Sequence, residues 1–258
     1  MYRGFNIKMA FEGDSFYQKG RTLNAQNKLQ IKRTLDSFVS VDGSLNGSKM
    51  QANWFPLVEA DIFISHSHKD EKMAITLAGW LSEKFGLSTF IDSCIWGYSN
   101  DLLKLIDNKH CLNPGGETYS YQKRNYSTSH VHMMLSTALN MIIDNAECLF
   151  FLNTPNSITT SDIIGNTESP WIYSEIAMSQ LVRKKPLREY RPEITKAFSK
   201  GGVINEQLRI KYDLYLGHLT EISVADLTEW KKAWNKISLN EKYPLDILYE
   251  LNQKSRIL

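Results

Sequence analysis

The segment DIFISHSHKDE at residues 61–71 decides the fold. It opens with a short apolar run, IFI at 62–64, and passes at once into a cluster of polar residues. The run predicts a short buried strand. Apolar residues then recur every four positions, at Met73, Leu77, Leu81 and Phe85. This spacing predicts an amphipathic helix over 70–85, which Gly86 ends and which S-x-x-D at 67–70 is expected to cap.

The same alternation of strand and helix continues along the chain. LSTFI at 87–91 and ECLFFLN at 147–153 are apolar runs, and the second is continuous, as in a strand buried on both faces. Helical patterns follow at 129–144 and from Pro170 to about residue 183, while 112–128 is predicted to be a polar loop. Strands that alternate with helices predict an α/β fold with a mostly parallel sheet covered by helices on both faces.

The two ends of the chain are predicted to add helices to this core. Residues 1–18 look irregular, 20–39 look helical, and the Gly- and Ser-rich segment 41–54 reads as a linker. A last strand is expected at 210–217, with helices at 225–238 and 244–254. We therefore predict an N-terminal helical extension and linker at 1–55, a core domain at 56–220 and a C-terminal helical extension at 221–258.

Composition excludes several classes of partner. The chain has 258 residues and a formal net charge of +2, so no strong field attracts nucleic acid or an anionic membrane. The longest apolar runs are too short to span a bilayer. The three cysteines are scattered and odd in number, which is typical of a reducing compartment. These features predict a cytoplasmic protein with no membrane or nucleic-acid partner.

The motif SPWIYSE at 169–175 is the sharpest candidate for chemistry. On a helix, Trp171 and Glu175 lie on one face, one turn apart. A carboxylate in a partly dry pocket beside an indole acts strongly on a developing positive charge, and cleavage of an N-glycosidic bond develops such a charge on the sugar. The alternative is an exposed helix glutamate next to a tryptophan that only packs.

Placement supports a shared site. The polar residues after strand 62–64, Asp92 after strand 87–91 and the loop after strand 147–153 all follow the carboxyl ends of predicted parallel strands. Ligands of open parallel sheets bind at that edge. Glu175 joins them if its helix starts there.

Three segments together resemble bacterial TIR domains: ADIFISHSHKDE at 60–71, FIDSCIWGYS at 90–99 and SPWIYSE. The resemblance covers about residues 58–217. It implies a flavodoxin-like fold with a five-stranded parallel sheet. It also implies an NAD+ glycohydrolase or ADP-ribosyl cyclase that releases nicotinamide, and self-association through the BB loop, here 92–100. Within the family, the chain is most similar to the TIR component of Thoeris-type anti-phage systems. Such a protein makes a nucleotide signal for a separate effector, after a phage-derived trigger.

The resemblance also assigns roles to residues. Glu175 is the implied catalytic carboxylate, and NAD is the substrate, with no cofactor. The implied substrate-binding residues are Ser65, His66 and Ser67 in the loop after the first strand, Asp92 and Trp96 on the BB side, and Trp171 at the nicotinamide end. Strand termination and capping are the alternative for Ser65 and Ser67, and surface packing is the alternative for Trp96.

Three other interpretations stay open. His66, His68 and Asp70 follow the H-x-H-x-D spacing of zinc hydrolases, but Glu71 stands where those enzymes have a further histidine, so we expect no metal. A non-catalytic TIR scaffold would signal by assembly alone. A nucleoside N-glycosyl transferase would share the sheet type and a catalytic glutamate. The chain contains no phosphate-binding P-loop and no dinucleotide-binding glycine fingerprint.

Overall fold

The computed structural model describes residues 1–8, 15–26, 35–158, 166–167, 169–190, 212–213, 215–237 and 243–254. Its strands are β1 (Arg3–Lys8), β2 (Ile62–Ser65), β3 (Thr89–Ile91), β4 (Cys148–Asn153), β5 (Asn166–Thr167), β6 (Tyr212–Asp213) and β7 (Thr220–Ser223). Five of them form one sheet in the order β3-β2-β4-β1-β7, and every pairing in it is parallel. The predicted five-stranded parallel sheet is confirmed.

Helices cover both faces of this sheet, as predicted. They are α1 (Tyr17–Gln26), α2 (Gly47–Trp54), α3 (Glu71–Phe85), α4 (Ser93–Ile106), α5 (Tyr121–Asn145), α6 (Pro170–Leu181), α7 (Val224–Trp234) and α8 (Pro244–Lys254). Successive residues of the central strand β4 enter different cores: Leu149 and Phe151 pack with α2, α4, α5 and α6, whereas Phe150 and Leu152 pack with α3, α7 and α8. This alternation makes β4 apolar throughout.

The first residues of the chain form an inner strand of the sheet. The expectation that residues 1–18 are irregular is wrong, because β1 lies between β4 and β7 and pairs with β4 over its whole length. Phe5 of β1 is fully buried and meets Phe150 edge to face at 5.7 Å. The segment predicted as a separate helical extension therefore supplies part of the core, and β7 carries the sheet past residue 220.

Helix α1 ties the N-terminal segment to α3 as well. A Cβ atom at Gly20 would lie 1.9 Å from the carbonyl oxygen of Ile75, and one at Gly79 would lie 2.1 Å from that of Phe16. Only glycine allows the two helices to approach this closely. This contact therefore holds α3, the next helix along the chain after β2.

Three further predictions are corrected by the structure. Residues 93–106 form helix α4, so the predicted BB loop at 92–100 is the beginning of a helix. Helix α5 begins at Tyr121, inside the predicted loop 112–128, because Ser120 caps it by accepting from the backbone N–H of Lys123. The last strand of the main sheet is β7, while β6, in the predicted strand 210–217, pairs antiparallel with β5. Residues 27–34 of the predicted helix 20–39 lie outside the described residues.

Helix length and composition also bear on membranes. Within the ranges that the structure describes, none of the helices is both long enough and apolar enough to cross a bilayer.

Candidate active site

Three elements bring polar side chains to the carboxyl edge of the sheet. Ser65 is the last residue of β2 and His66 follows it, while Asp92 follows β3 and caps α4. Helix α6 carries Glu175 on its second turn, and its start is set by the cap Ser169, whose hydroxyl accepts from the N–H of Ile172 at 3.3 Å, with Pro170 in the first turn. The predicted convergence of these segments is what the structure shows.

Glu175 lies inside this edge, with 1% of its surface exposed. The hydroxyl of Ser65 donates a hydrogen bond of 2.7 Å to Glu175 Oε2. A carboxyl group at such a depth is costly to ionise unless hydrogen bonds compensate, and Ser65 supplies one. The alternative that Glu175 is an exposed helix residue is therefore wrong.

Asp92 is fully buried beside Glu175 and is held by two groups. Its Oδ1 atom lies 2.6 Å from His66 Nδ1 and accepts a hydrogen bond of 2.7 Å from the backbone N–H of Ser93. His66 is fully buried too. The side chains of Ser65, Glu175, Asp92 and His66 thus form one continuous polar cluster, which we call the carboxyl cluster.

The pKa of Glu175 is raised well above its ordinary value. Burial is the largest cause, and the negative charge of Asp92 adds to it, while the hydrogen bond from Ser65 opposes the rise. A hydrogen bond between the Glu175 and Asp92 side chains also favours the protonated form. Two carboxyl groups can hydrogen-bond to each other only when one of them carries a proton, so this contact favours the neutral form of Glu175.

The pKa of His66 is raised by its neighbours. Burial alone lowers it, but the charge of Asp92 and the hydrogen bond to it outweigh burial, and Glu71 and Asp70 add to the rise. The contact with Asp92 therefore favours the imidazolium form of His66. His66 Nε2 has no hydrogen-bond partner in the described part of the chain.

A second polar group adjoins the carboxyl cluster, and its contacts with the loop after β4 were not predicted. Asp70 is buried and accepts hydrogen bonds from Thr154 Oγ1 at 2.5 Å and from Asn156 Nδ2 at 2.7 Å. These contacts join the loop after β2 to the loop after β4. The predicted capping role is wrong, because the Ser67 side chain makes no capping hydrogen bond. The polar run T-P-N-S at 154–157 after β4 was the available signal.

The remaining predicted substrate-binding residues lie at the margin or outside the described side chains. Trp171 is half-buried and meets His132 of α5 edge to face, with ring centroids 5.7 Å apart. Ser67 is half-buried. The side chain of Trp96 lies outside the described residues, whereas Tyr98 on the same helix is buried in the core.

The cluster is closed. Ser65, His66, Asp92 and Glu175 are each at most 1% exposed. Two cavities of about 550 Å³ and 200 Å³ flank α5 instead, and none of the four residues lines either of them. A ligand the size of a dinucleotide reaches Glu175 only when the edge of the sheet opens.

The zinc interpretation gains no support from the geometry. Asp92 binds His66 on one side of the strand end, while His68 is exposed and Asp70 is bonded to Thr154 and Asn156. Among the residues that the structure describes, no three His, Cys, Asp or Glu side chains are grouped so as to hold a metal ion.

Comparisons with protein-family models, with curated proteins and with solved structures found no match to this chain.

Proposed function

We propose that the protein cleaves NAD at the bond between nicotinamide and ribose, releasing nicotinamide and either ADP-ribose or a cyclic ADP-ribose isomer. One observation carries the proposal: Glu175 lies buried at the carboxyl edge of a parallel sheet, bonded to Ser65 at the end of β2. This is the position at which open α/β sheets bind nucleotides.

The main requirement of this reaction is one negative charge placed close to the ribose. The nicotinamide of NAD is a cationic ring, so it departs with the bonding electrons as a neutral molecule and needs no proton. Positive charge then builds on the ribose, where the Glu175 carboxylate stabilises it in a site of low dielectric. Water that attacks the sugar gives ADP-ribose and passes its proton to the carboxylate, whereas attack by an atom of the same nucleotide gives a cyclic product.

The wider role rests on the resemblance to Thoeris-type TIR proteins. In this proposal the nucleotide product is an immune signal in the cytoplasm, made in response to a phage-derived trigger and received by a separate effector. Self-association activates the enzyme. The residues proposed to mediate it, 92–100, begin helix α4, so the contact would be made by a helix start rather than by an extended loop.

A nucleoside N-glycosyl transferase is a second candidate, and the carboxyl cluster favours it specifically. A purine or pyrimidine leaving from a neutral nucleoside carries negative charge and needs a proton. The proton between Glu175 and Asp92 is a source for it. The third candidate, a TIR scaffold without catalysis, is favoured by the closed state of the cluster.

One experiment separates the three candidates. The full chain is incubated with NAD and, separately, with a mixture of deoxynucleosides and free bases. The products are then separated and identified by mass spectrometry. Nicotinamide with an adenine nucleotide product supports NAD cleavage, and exchanged deoxynucleosides support the transferase. If neither substrate changes over a wide range of enzyme concentration, the scaffold is the better account and the proposed catalysis is wrong.

A further inference from the structure

We propose that Glu175 and Asp92 share one proton in the resting protein and that this proton is a latch that keeps the site closed and the catalytic carboxylate neutral. The inference rests on the proposed function for the meaning of "catalytic". The latch involves only residues of this chain, so it can be tested without a substrate.

The geometry first fixes where the negative charge of the pair resides. Asp92 Oδ1 faces two positively polarised groups, His66 Nδ1 at 2.6 Å and the N–H of Ser93 at 2.7 Å. Asp92 also caps the N-terminus of α4, where the helix dipole favours negative charge. Among the described residues, Glu175 has one hydrogen-bond donor, the hydroxyl of Ser65 at 2.7 Å. These groups therefore stabilise negative charge better on Asp92 than on Glu175, and the proton resides on Glu175.

The unsatisfied atoms agree with this assignment. Asp92 Oδ2 and Glu175 Oε1 are both buried and have no N–H or hydroxyl partner within the described residues. Two bare carboxylate oxygens would each cost free energy in such a place, but one proton between the two carboxyl groups satisfies both. A shared proton thus provides a hydrogen bond for two oxygen atoms that have no other partner among the described residues.

Other titratable groups lie on the elements near the pair. Glu71 and Asp70 stand at the start of α3 and act on His66. On the outer side of α6, His132 of α5 contacts Trp171, and His218, in the segment before β7, contacts Ser179. The causes that shift the pKa of Glu175 are burial, Asp92 and Ser65, so none of these outer groups substitutes for Asp92.

The latch follows from what happens when the proton leaves. Loss of the proton places two negative charges side by side in a buried cluster, and like charges at this depth repel strongly. Moving α6 away from β2 and β3 relieves the repulsion and exposes the Glu175 carboxylate. The same event that opens the site would therefore produce the charged form that the proposed reaction uses.

The test is the pH dependence of unfolding, which needs no substrate. A folded state that holds a proton the unfolded chain has released loses stability as pH rises. At pH values between the ordinary glutamate pKa of 4.5 and the raised pKa of Glu175, the free energy of unfolding of the wild-type protein should fall as pH rises. The slope should correspond to about one proton. In Glu175→Gln, an amide N–H replaces the shared proton permanently, so this part of the slope should disappear.

A matched surface variant makes the result specific. Glu229→Gln changes an exposed glutamate that pairs with Lys232, and it should keep the wild-type slope. Chemical denaturation of all three proteins from pH 4 to pH 9 gives the comparison. If Glu175→Gln keeps the same slope as wild type, the shared proton is ruled out.

A direct measurement on the wild-type chain covers the case in which the variant does not fold. Carbon NMR of the protein labelled at glutamate and aspartate carboxyl carbons should show one glutamate that stays protonated where exposed glutamates are ionised. If all glutamates titrate together near their ordinary value, the latch does not exist. Because neither readout involves NAD, a latch without nicotinamide release would refute the proposed function alone, and nicotinamide release without the latch would refute this inference alone.

Discussion

Ser65 Oγ donates a hydrogen bond of 2.7 Å to Glu175 Oε2 across a separation of 110 residues. The bond joins the last residue of β2 to the second turn of α6, so the strand end fixes the carboxyl group relative to the sheet. Asp92 acts on the same carboxyl group from the end of β3. The two neighbours have opposite effects on its protonation, and this opposition can be measured.

The pH dependence of the proposed activity should shift in opposite directions in two variants. Only ionised Glu175 stabilises a cation, so activity should rise with pH through the raised pKa of Glu175, with its midpoint above 4.5. Ser65→Ala removes a bond that lowers this pKa, so the midpoint should move to higher pH. Asp92→Asn removes a charge that raises it, so the midpoint should move to lower pH.

The measurement is the initial rate of nicotinamide release at saturating NAD across the pH range in which each variant stays folded. Shifts in the same direction in both variants would contradict the assignment of Glu175 as the titrating group.

Glu175→Gln should strongly reduce catalysis without unfolding the protein. The amide keeps the acceptor for Ser65 and supplies a donor toward Asp92, but it carries no charge. Nicotinamide release should fall about a hundredfold or more, the usual effect of losing one preorganised electrostatic group. Full activity in this variant, measured beside the surface variant Glu229→Gln, would sink the catalytic assignment.

Local patterns in the sequence predict the strands with continuous apolar runs, but they miss the N-terminal strand β1. Ile62–Ser65 and Cys148–Asn153 are apolar runs with a strong signal, and the strands and their buried position are as predicted. In β1, by contrast, Gly4 and Asn6 interrupt the apolar residues, and nothing local shows that the strand enters the middle of the sheet. Its strand character is imposed by β4 and β7, which supply partners on both sides.

The candidate site was also predicted only in part. Ser65, His66, Asp92 and Glu175 were predicted to converge because each follows the carboxyl end of a strand or begins a helix there. The proton shared by Glu175 and Asp92 was not predictable, since it depends on a contact between side chains 83 positions apart in the chain. The beginning of α4 was predicted as a loop because the resemblance places the BB loop there, whereas here Asp92 caps a helix.

Phe5→Ala tests whether the N-terminal segment belongs to the core. Phe5 is fully buried, meets Phe150 edge to face and stacks on Tyr249 at 6.1 Å. Truncating a buried phenylalanine costs about 3–5 kcal/mol of unfolding free energy. Chemical denaturation should show this loss, whereas Val41→Ala, at a fully exposed position of the same segment, should change stability little. Similar small effects in both variants would mean that the segment is a separate extension.

Asp70→Ala tests the link between the loops that follow β2 and β4. The carboxyl group of Asp70 accepts from Thr154 and Asn156, and its removal leaves the buried Thr154 hydroxyl without this acceptor, whereas Asn156 is exposed to water. Such a loss costs about 1–3 kcal/mol, so the melting temperature should fall by several degrees. Lys69→Ala, at the exposed neighbouring position, is the matched control and should melt like wild type.

A double variant then shows whether the Asp70 contact itself is responsible. Thr154→Val removes the hydroxyl that donates to Asp70 while keeping the shape of the side chain. If the two residues stabilise the protein through their mutual bond, the combined loss in Asp70→Ala with Thr154→Val should be smaller than the sum of the single losses. Strictly additive losses would show that Asp70 acts through other neighbours. The bond from Asn156 would then be the contact through which Asp70 holds the loop after β4.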